Sequence, residues 1–304
     1  MTLTVAVAGD PDRDALHALR HDVFVVGQGV PAEIEVDERD ATAVHAVARL
    51  DGQVVGTGRL IVRDDGTASI GRMAVAESTR GAGVGAAVLR CLEDRAVELG
   101  LTGVELHAQR QAVGFYERAG YTATSGVYLE AGLEHVDMRK PLPVVRPVRD
   151  DDSAALIALI GGCWSEYPGV ELHVDAEEPW LRRPAAAYEQ WSGRMWVVEV
   201  DGDLVACCGV KPLRPGVVEL KSMYVAAGAR RQGLARRLER LVRQEALRRG
   251  VDRIELWSDT RFGEAHATYA ALGYRQLPGE RDLHDLSLSR EYPFAKDLSD
   301  SPAR

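Results

Sequence analysis

One turn occurs twice in this chain, and that repetition constrains the fold more than any other feature. Residues 75–86 read VAESTRGAGVGA and residues 225–235 read VAAGARRQGLA, about 150 positions apart. Each copy follows an apolar stretch, at 69–75 and 219–225, and opens a helical pattern. Each is followed by an aromatic–glycine segment, FYERAGY at 115–121 and TYAALGY at 268–274. Gly83 precedes Tyr116 by 33 positions and Gly233 precedes Tyr269 by 36. Two motifs in one order, met twice, mean two copies of one domain. A length of 304 residues agrees, since each half is long enough to bury its own core. The expected domains span residues 1–141 and 144–304. They join through PLPVVRP at 141–147, whose prolines continue neither a ladder nor a helix. Residues 144–148 also start the first strand of the second domain.

The two halves read alike. In the first, Leu3–Val7 is a strand, and Asp10 caps a helix whose first position is Pro11. Strands Val44–Leu50 and Gln53–Val62 meet at Asp51-Gly52, a hairpin signal. A strand at 69–75 leads to a helix at 83–99. Its Val84, Val88, Leu92, Ala96 and Leu99 share a face, and Gly100 stops it. A strand at 102–108, a helix at 112–119 and two short strands follow. In the second half the series is a helix at 150–160, a hairpin through Asp201-Gly202-Asp203, and a strand at Val217–Val225. Next come a helix at 233–249 stopped by Gly250, a strand at 253–257, a helix at 264–272, and terminal strands at 274–277 and 284–288. Residues 163–191, with Trp164, Tyr167 and Trp180, read as irregular. They either line a substrate cavity or pack over the core.

Charge and cysteine usage exclude several classes. The net charge is −9, and −7 of it precedes Pro143, where 21 acids meet 14 bases. Such a surface does not attract nucleic acid or anionic lipid as a whole. None of Cys91, Cys163, Cys207 and Cys208 forms a CxxC pair, and the adjacent two point to opposite sides of a strand, so no zinc site is expected. They read as reduced thiols of a cytoplasmic protein. No signal peptide is evident, and the apolar runs fall short of the ~20 residues of a membrane helix.

The repeated turn has a chemistry of its own. A glycine-rich turn at the end of a strand aims backbone N–H groups at one spot, and the following helix adds its positive end, so phosphate binds there. Arg80, Arg230 and Arg231 would add charge-assisted contacts. A glycine cap with a chance arginine would look the same in a single copy. The Gly-Lys-Ser/Thr of a P-loop is absent. Gly81-Ala-Gly83-Val-Gly85-Ala86 fits a dinucleotide fingerprint loosely, but Ala76 to Arg80 separate it from the strand and the second copy lacks its glycines.

Strand, R-G-x-G-x-G or R-x-x-G-x-A, helix, strand, then a helix with Y-x-x-x-G-Y resembles the GNAT acyl-CoA N-acyltransferases. The resemblance covers nearly the whole chain as two tandem domains. The first half is more specifically similar to the ElaA-like subgroup. The matching residues are Arg20-x-x-Val23-Phe24-Val25-x-x-Gln28, Asp37 with Asp40, His45, Ile70-Gly71-Arg72-Met73, Ala108-Gln109, Phe115-Tyr116 and Gly132-Leu133-Glu134-His135. The second half is similar to generic amine acetyltransferases. The resemblance implies an α/β (α+β) architecture of two tandem folds. Each would be a mixed, mostly antiparallel sheet flanked by helices, with a splayed central strand pair. It implies acetyl-CoA as cosubstrate and no metal. The pyrophosphate would lie on Arg80, Gly81, Gly83 and Gly85, or on Arg230, Arg231, Gly233 and Ala235. The pantetheine arm would pair with backbone of Met73 and Val75, or of Met223 and Val225.

Acyl transfer to an amine needs a base for the ammonium, donors for the oxyanion and an acid for the departing thiolate. Tyr116 and Tyr269 match the family's general-acid position; they also read as aromatics packing a helix on the sheet. Glu219 matches a position where many members keep a glutamate base, and equally reads as a solvated strand residue. Ser69 stands there in the first domain, leaving His107, His135 and Glu134 as candidate bases. His45 and His107 also read as core histidines. Asp37 and Asp40 either order a loop or make an acidic entrance. Gln109 and Phe262 replace an asparagine common in the family, and Phe262 removes a possible coenzyme contact. The expectation is an N-acetyltransferase for the primary amine of a small molecule, a monomer or homodimer with no nucleic-acid or membrane partner. Two alternatives are one catalytic domain beside an acyl-CoA-binding scaffold, and a protein lysine acetyltransferase.

Overall fold

Two hairpin turns set the two sheets going. Asp51 and Gly52 have φ of 49° and 88°, and Asp201 and Gly202 have 54° and 91°. Both pairs take the left-handed conformation of a two-residue hairpin loop, which aspartate tolerates and glycine favours. The computed structural model describes residues 2–130 and 132–298. Residues 299–304, with which the expected second domain ends, lie outside the described residues. The chain divides into a unit of Met1–Val144 and a unit of Val145–Arg304.

In the first unit β1 (Leu3–Val7) precedes α1 (Arg13–Arg20), a π turn (His21–Val26) and α2 (Ala32–Glu35). Then come β2 (Val44–Leu50), β3 (Gln53–Val62), β4 (Thr67–Val75), α3 (Val84–Glu98), β5 (Gly103–Gln109) and α4 (Val113–Arg118). Short β6 (Thr122–Ala123) and β7 (Tyr128–Glu130) lead to β8 (Leu133–Pro141). The sheet has eight strands in the order β1-β2-β3-β4-β5-β8-β6, with β7 also on β8. Among the described residues of this sheet only β4 and β5 pair in parallel. The buried core lies between this sheet and α3, where Val88, Leu92 and Ala96 are fully enclosed. Asp10 is not the helix cap. It starts a 3-10 turn that Gly9 caps, and Asp12 accepts from the Gly9 N–H at 2.8 Å.

The central feature is a strand pair that opens. β4 and β5 are matched only over Thr67↔Gly103, Ala68↔Val104 and Ser69↔Glu105. On its other edge β4 pairs with β3, but Thr57↔Ala74 is followed by Arg59↔Gly71, so β4 carries one residue too many. Arg72 sits in this bulge with φ 51°, a left-handed value unusual for a non-glycine residue. A bulge bends and twists its strand, and here it turns β4 away from β5.

The second unit repeats the device. β9 (Val144–Pro147), α5 (Ser153–Trp164), α6 (Pro184–Gln190), β10 (Arg194–Val200) and β11 (Asp203–Arg214) precede β12 (Val217–Val225). α7 (Leu234–Arg248), β13 (Arg253–Asp259), α8 (Gly263–Ala271), β14 (Arg275–Gln276), β15 (Arg281–Asp282) and β16 (Arg290–Asp297) complete it. β12 and β13 are parallel and matched only over Val217↔Arg253 to Glu219↔Glu255. Cys207↔Tyr224 is followed by Gly209↔Lys221, and Ser222 takes φ 57°.

Two expectations are corrected here. Residues 284–288 are not a strand: Leu286 and Leu288 are exposed, and the long terminal strand is β16. Pro293 hid it, because proline lacks the N–H that an inner strand uses; β16 nevertheless lies between β13 and β14. Residues 163–191 are not wholly irregular, since α6 lies among them. Trp180, Tyr188 and Trp191 stack with centroids 5.2–6.0 Å apart over Leu181, so these aromatics pack a core. That core holds Cys207, while Cys208 faces the other one.

Candidate active site

The glycine turns form the same backbone twice. Gly83 and Gly233 both cap their helices with φ 81°, and neither helix has a side-chain cap. The first-turn N–H groups of α3 and α7 therefore remain available, which is the setting for an anion. Gly81 has φ 80°, and Arg231, at the matching position, keeps φ 62°. A left-handed non-glycine costs about 1–2 kcal/mol, so the second copy holds the loop shape against its residue preference. A Cβ on Gly85 would meet Phe115 and Val75 at 3.6 Å, an ordinary contact, which explains how Ala235 stands there in the second copy. The loss of two glycines leaves the loop intact.

The two loop arginines differ. Arg80 is exposed, and its Nε reaches only the Val75 carbonyl at 3.4 Å. Arg230 donates from Nε to the Val225 carbonyl at 3.1 Å, and its guanidinium grips Glu166 at 2.7 and 2.6 Å. Glu264 adds a contact at 3.3 Å. Glu166 raises the Arg230 pKa further. Next to Glu166 in sequence, Tyr167 stacks on Phe262 with centroids 4.5 Å apart. The expected phosphate contact of Arg230 is thus already taken by carboxylates.

Met73 and Met223 follow the two bulge residues, and Val75 and Val225 close the strands against Gly56 and Ala206. Beyond the bulge the β4 edge facing β5, and the β12 edge facing β13, have no strand partner among the described residues. An extended chain of amides fits such an edge. Tyr116 and Tyr269 are buried on α4 and α8, packed edge-on to Tyr121 and Tyr274 at 5.7 and 6.0 Å. Burial pushes the Tyr116 phenol up to about 12 and also raises that of Tyr269. Both stay protonated at neutral pH, so both can donate.

On the face of the first sheet away from α3, Asp37 and Asp40 order a loop. Arg20 is fully buried and bonds Glu35 at 2.5 Å and Asp40 at 2.7 Å, while Arg59 holds Asp37 at 2.8 and 3.0 Å. Arg72 donates to the carbonyls of Glu35 and Ile34. These acids are neutralised in place. His45 Nε2 lies 3.2 Å from the Asp40 carbonyl, its Nδ1 has no partner among the described residues, and burial lowers its pKa. His107 is not a core histidine. It is exposed on β5, with Asp137 at 2.6 Å and Tyr128 at 2.7 Å from Nδ1. His135 Nδ1 lies 3.0 Å from the Leu133 carbonyl, and Glu134 is paired with Arg110 at 2.9 Å.

In the second domain Glu219 faces Lys211 on the neighbouring strand at 3.1 Å, with the glutamate side chain 12% exposed. The ion pair occupies the carboxylate that the sequence offered as a base. Glu291 on β16, opposite Asp259, was missed with its strand. Burial pushes its carboxyl up, against the pull of Arg281 and Lys221. A carboxyl raised in this way suits proton transfer. Tyr292 and Phe294 around it alternate into the core, and that alternation was the signal for β16.

A family model described as "Acetyltransferase (GNAT) domain" matches residues 11–142, and one described as "Acetyltransferase (GNAT) family" matches residues 163–274. "Uncharacterized N-acetyltransferase YjcF" of Bacillus subtilis (strain 168) is 38% identical over 141 residues, which is 46% of this chain and 99% of that protein. A solved acyl-CoA N-acyltransferase from Pseudomonas aeruginosa is 35% identical, covers 46% of this chain and 99% of its own, and has a TM-score of 0.42. Escherichia coli ElaA is 26% identical over 46% of this chain and 98% of its own, with a TM-score of 0.41. Among the described residues, no helix is long and apolar enough to cross a membrane, and no cluster of metal-binding side chains occurs. Proteins of this fold use acetyl-CoA as cosubstrate. The chain belongs to the GNAT acetyltransferases and is an acyltransferase with two domains of that family in tandem.

Proposed function

We propose that the chain transfers the acetyl group of acetyl-CoA to the primary amine of a small molecule, by direct attack with both substrates bound. The observation that carries this reading is the bulge-opened strand pair beside a glycine-capped helix, present in both units. In the first domain the pyrophosphate lies on the turn of Arg80, Gly81, Gly83 and Gly85, and the pantetheine pairs along Met73 and Val75. In the second, Arg231, Gly233 and Ala235 with Met223 and Val225 play the same parts, and Arg230 joins them once Glu166 and Glu264 give way. The amine nitrogen attacks the thioester carbon, the Met73 or Met223 N–H stabilises the oxyanion, and the C–S bond breaks. Tyr116 or Tyr269 gives its proton to the departing sulfur.

A specific observation favours a second reading, in which the first domain catalyses and the second is a weak acyl-CoA binder. The carboxylates on Arg230 and the Tyr167–Phe262 stack occur only at the second loop. Calorimetric titration of acetyl-CoA into the chain and into its Gly83→Trp and Gly233→Trp variants tests both. Two binding events, each lost with its own loop, support two working sites. One event lost with Gly83→Trp supports the division, and no binding at all overturns the acyltransfer reading of these loops.

A further inference from the structure

We infer that His107 is the general base of the first domain and that Asp137 and Tyr128 position it. The inference rests on the acetyl-transfer reading and names the group that takes the proton of the amine.

The strands place His107 at the opening. β4 and β5 separate after Ser69↔Glu105, and carrying that register on by two residues sets His107 across the gap from Gly71. A Cβ added to Gly71 would meet nothing within 4 Å, so the space before it is open. Val104, Leu106 and Ala108 point into the core, so His107 and Gln109 project from the opposite face. There Gln109 Nε2 donates to Gln28 Oε1 at 2.9 Å.

The hydrogen bonds set the tautomer. Nδ1 lies 2.6 Å from Asp137 Oδ1, and the Tyr128 hydroxyl donates to the same oxygen at 2.5 Å. A carboxylate only accepts, so the ring hydrogen is on Nδ1 and the Nε2 lone pair is free. Tyr128, through its hydrogen bond, and His107 hold the Asp137 carboxyl below the usual carboxylate range, so it stays charged and stabilises the imidazolium that forms. The titratable and charged groups nearest it on this face are Glu105 on β5, His135 and Arg139 on β8, and Glu130 on β7, with Arg63 on Glu105 and with His45, Arg59, Asp37 and Asp40 further across the same face. The other candidates lack this arrangement: Glu134 is ion-paired, and His135 has no carboxylate on its Nδ1. In the second domain Trp257↔Pro293 occupies the register position of His107↔Asp137, so the device belongs to the first domain alone.

In the reaction, Nε2 takes a proton from the ammonium, and the free amine so formed attacks the thioester carbon. As the C–S bond breaks, Tyr116 protonates the sulfur. The nitrogen gives up its second proton as the amide forms, which restores the phenol through solvent, and His107 returns its proton to solvent.

Methylamine and hydroxylamine are small enough to enter any acceptor pocket, and they separate the roles. At pH 7.5 methylamine is an ammonium ion and hydroxylamine is neutral, so only the first must lose a proton before it attacks. Release of coenzyme thiol from acetyl-CoA is measured with each. His107→Gln is expected to lower kcat with methylamine by ~10², to leave KM for acetyl-CoA unchanged, and to affect hydroxylamine little. Raising the pH to 10 narrows the methylamine gap. Asp137→Asn and Tyr128→Phe give intermediate losses in kcat. An equal fall with both amines, or none with either, overturns the inference. The imidazole resonances of His107 give an independent reading: acetyl-CoA binding must shift them. If calorimetry detects acetyl-CoA in the first domain and those resonances stay still, His107 is not the base. If acetyl-CoA does not bind, it is the acetyl-transfer reading that fails.

Discussion

At the scale of single residues, burial decides what each group can do. The Tyr116 phenol is surrounded by Phe115 and Tyr121 and pushed up to about 12. Because the protonated form is favoured, raising the pH through 10 leaves the donor in place. First-domain turnover is therefore expected to show no alkaline limb below about 12 from this residue, and Tyr116→Phe to lower kcat by ~10²-fold with acetyl-CoA affinity retained; a pH profile of both forms checks this. The fully buried Arg20 makes a different case. Burial works to raise the Asp40 carboxyl, but the hydrogen bond from Arg20 overrides it and the net shift is downward. That contribution to stability is complete above the ordinary aspartate range and fades as the pH falls below it. Arg20→Ala takes the hydrogen-bonded cation from the buried Glu35 and leaves Asp40 to Arg59 at 3.1 Å, so the first domain is expected to lose up to about 3–5 kcal/mol in denaturant unfolding monitored at neutral pH.

Elements explain which parts of the fold were legible. The hairpins, the helices after Gly83 and Gly233 and their stops at Gly100 and Gly250 were written in turn chemistry and period, and they stand as read, except that Leu99, expected on the apolar face, caps the helix and is exposed. The bulges were not, because Arg72 and Ser222 carry no sign in sequence that their φ is positive; the resemblance alone implied the splay. Pro293 concealed β16 and with it Glu291, while the partners of His107 come from β7 and β8, 21 and 30 residues away, beyond the reach of local pattern. Gly58 had no visible role either. A Cβ there would lie 2.4 Å from Met73 Sδ and 2.9 Å from a Leu92 methyl, so its emptiness lets the bulged strand sit on α3. Gly58→Ala is expected to cost about 1–3 kcal/mol by overpacking and to weaken acetyl-CoA binding by moving Met73. Unfolding and calorimetry on the same variant test both, and a change in neither removes the link between this glycine and the bulge.

At the scale of the whole molecule, one backbone design has been kept twice while its side chains diverged. Both units keep the bulge, the left-handed loop and the buried tyrosine. The first surrounds its opening with His107, Asp137 and Tyr128; the second has Trp257 under the Arg281 guanidinium at 4.0 Å, with Glu291 alongside. On the proposed function, openings so different are expected to favour different acceptors. On the proposed function the coenzyme sites differ too, because a pyrophosphate entering the second loop must displace Glu166 and Glu264 from Arg230, whereas Arg80 is exposed and, among the described residues, has no carboxylate on it. Acetyl-CoA is therefore expected to bind the first domain more tightly. Glu166→Gln frees most of the Arg230 charge, and a charge-assisted contact regained is worth about 1.5–3 kcal/mol, discounted here because Arg230 and Glu166 are each about a third exposed. Calorimetry on Glu166→Gln with the first loop blocked by Gly83→Trp isolates the second site. Binding strengthened several-fold over the Glu166 parent supports the carboxylate as the restraint. Unchanged affinity means that the Tyr167–Phe262 stack, rather than the ion pair, sets the weakness of that site.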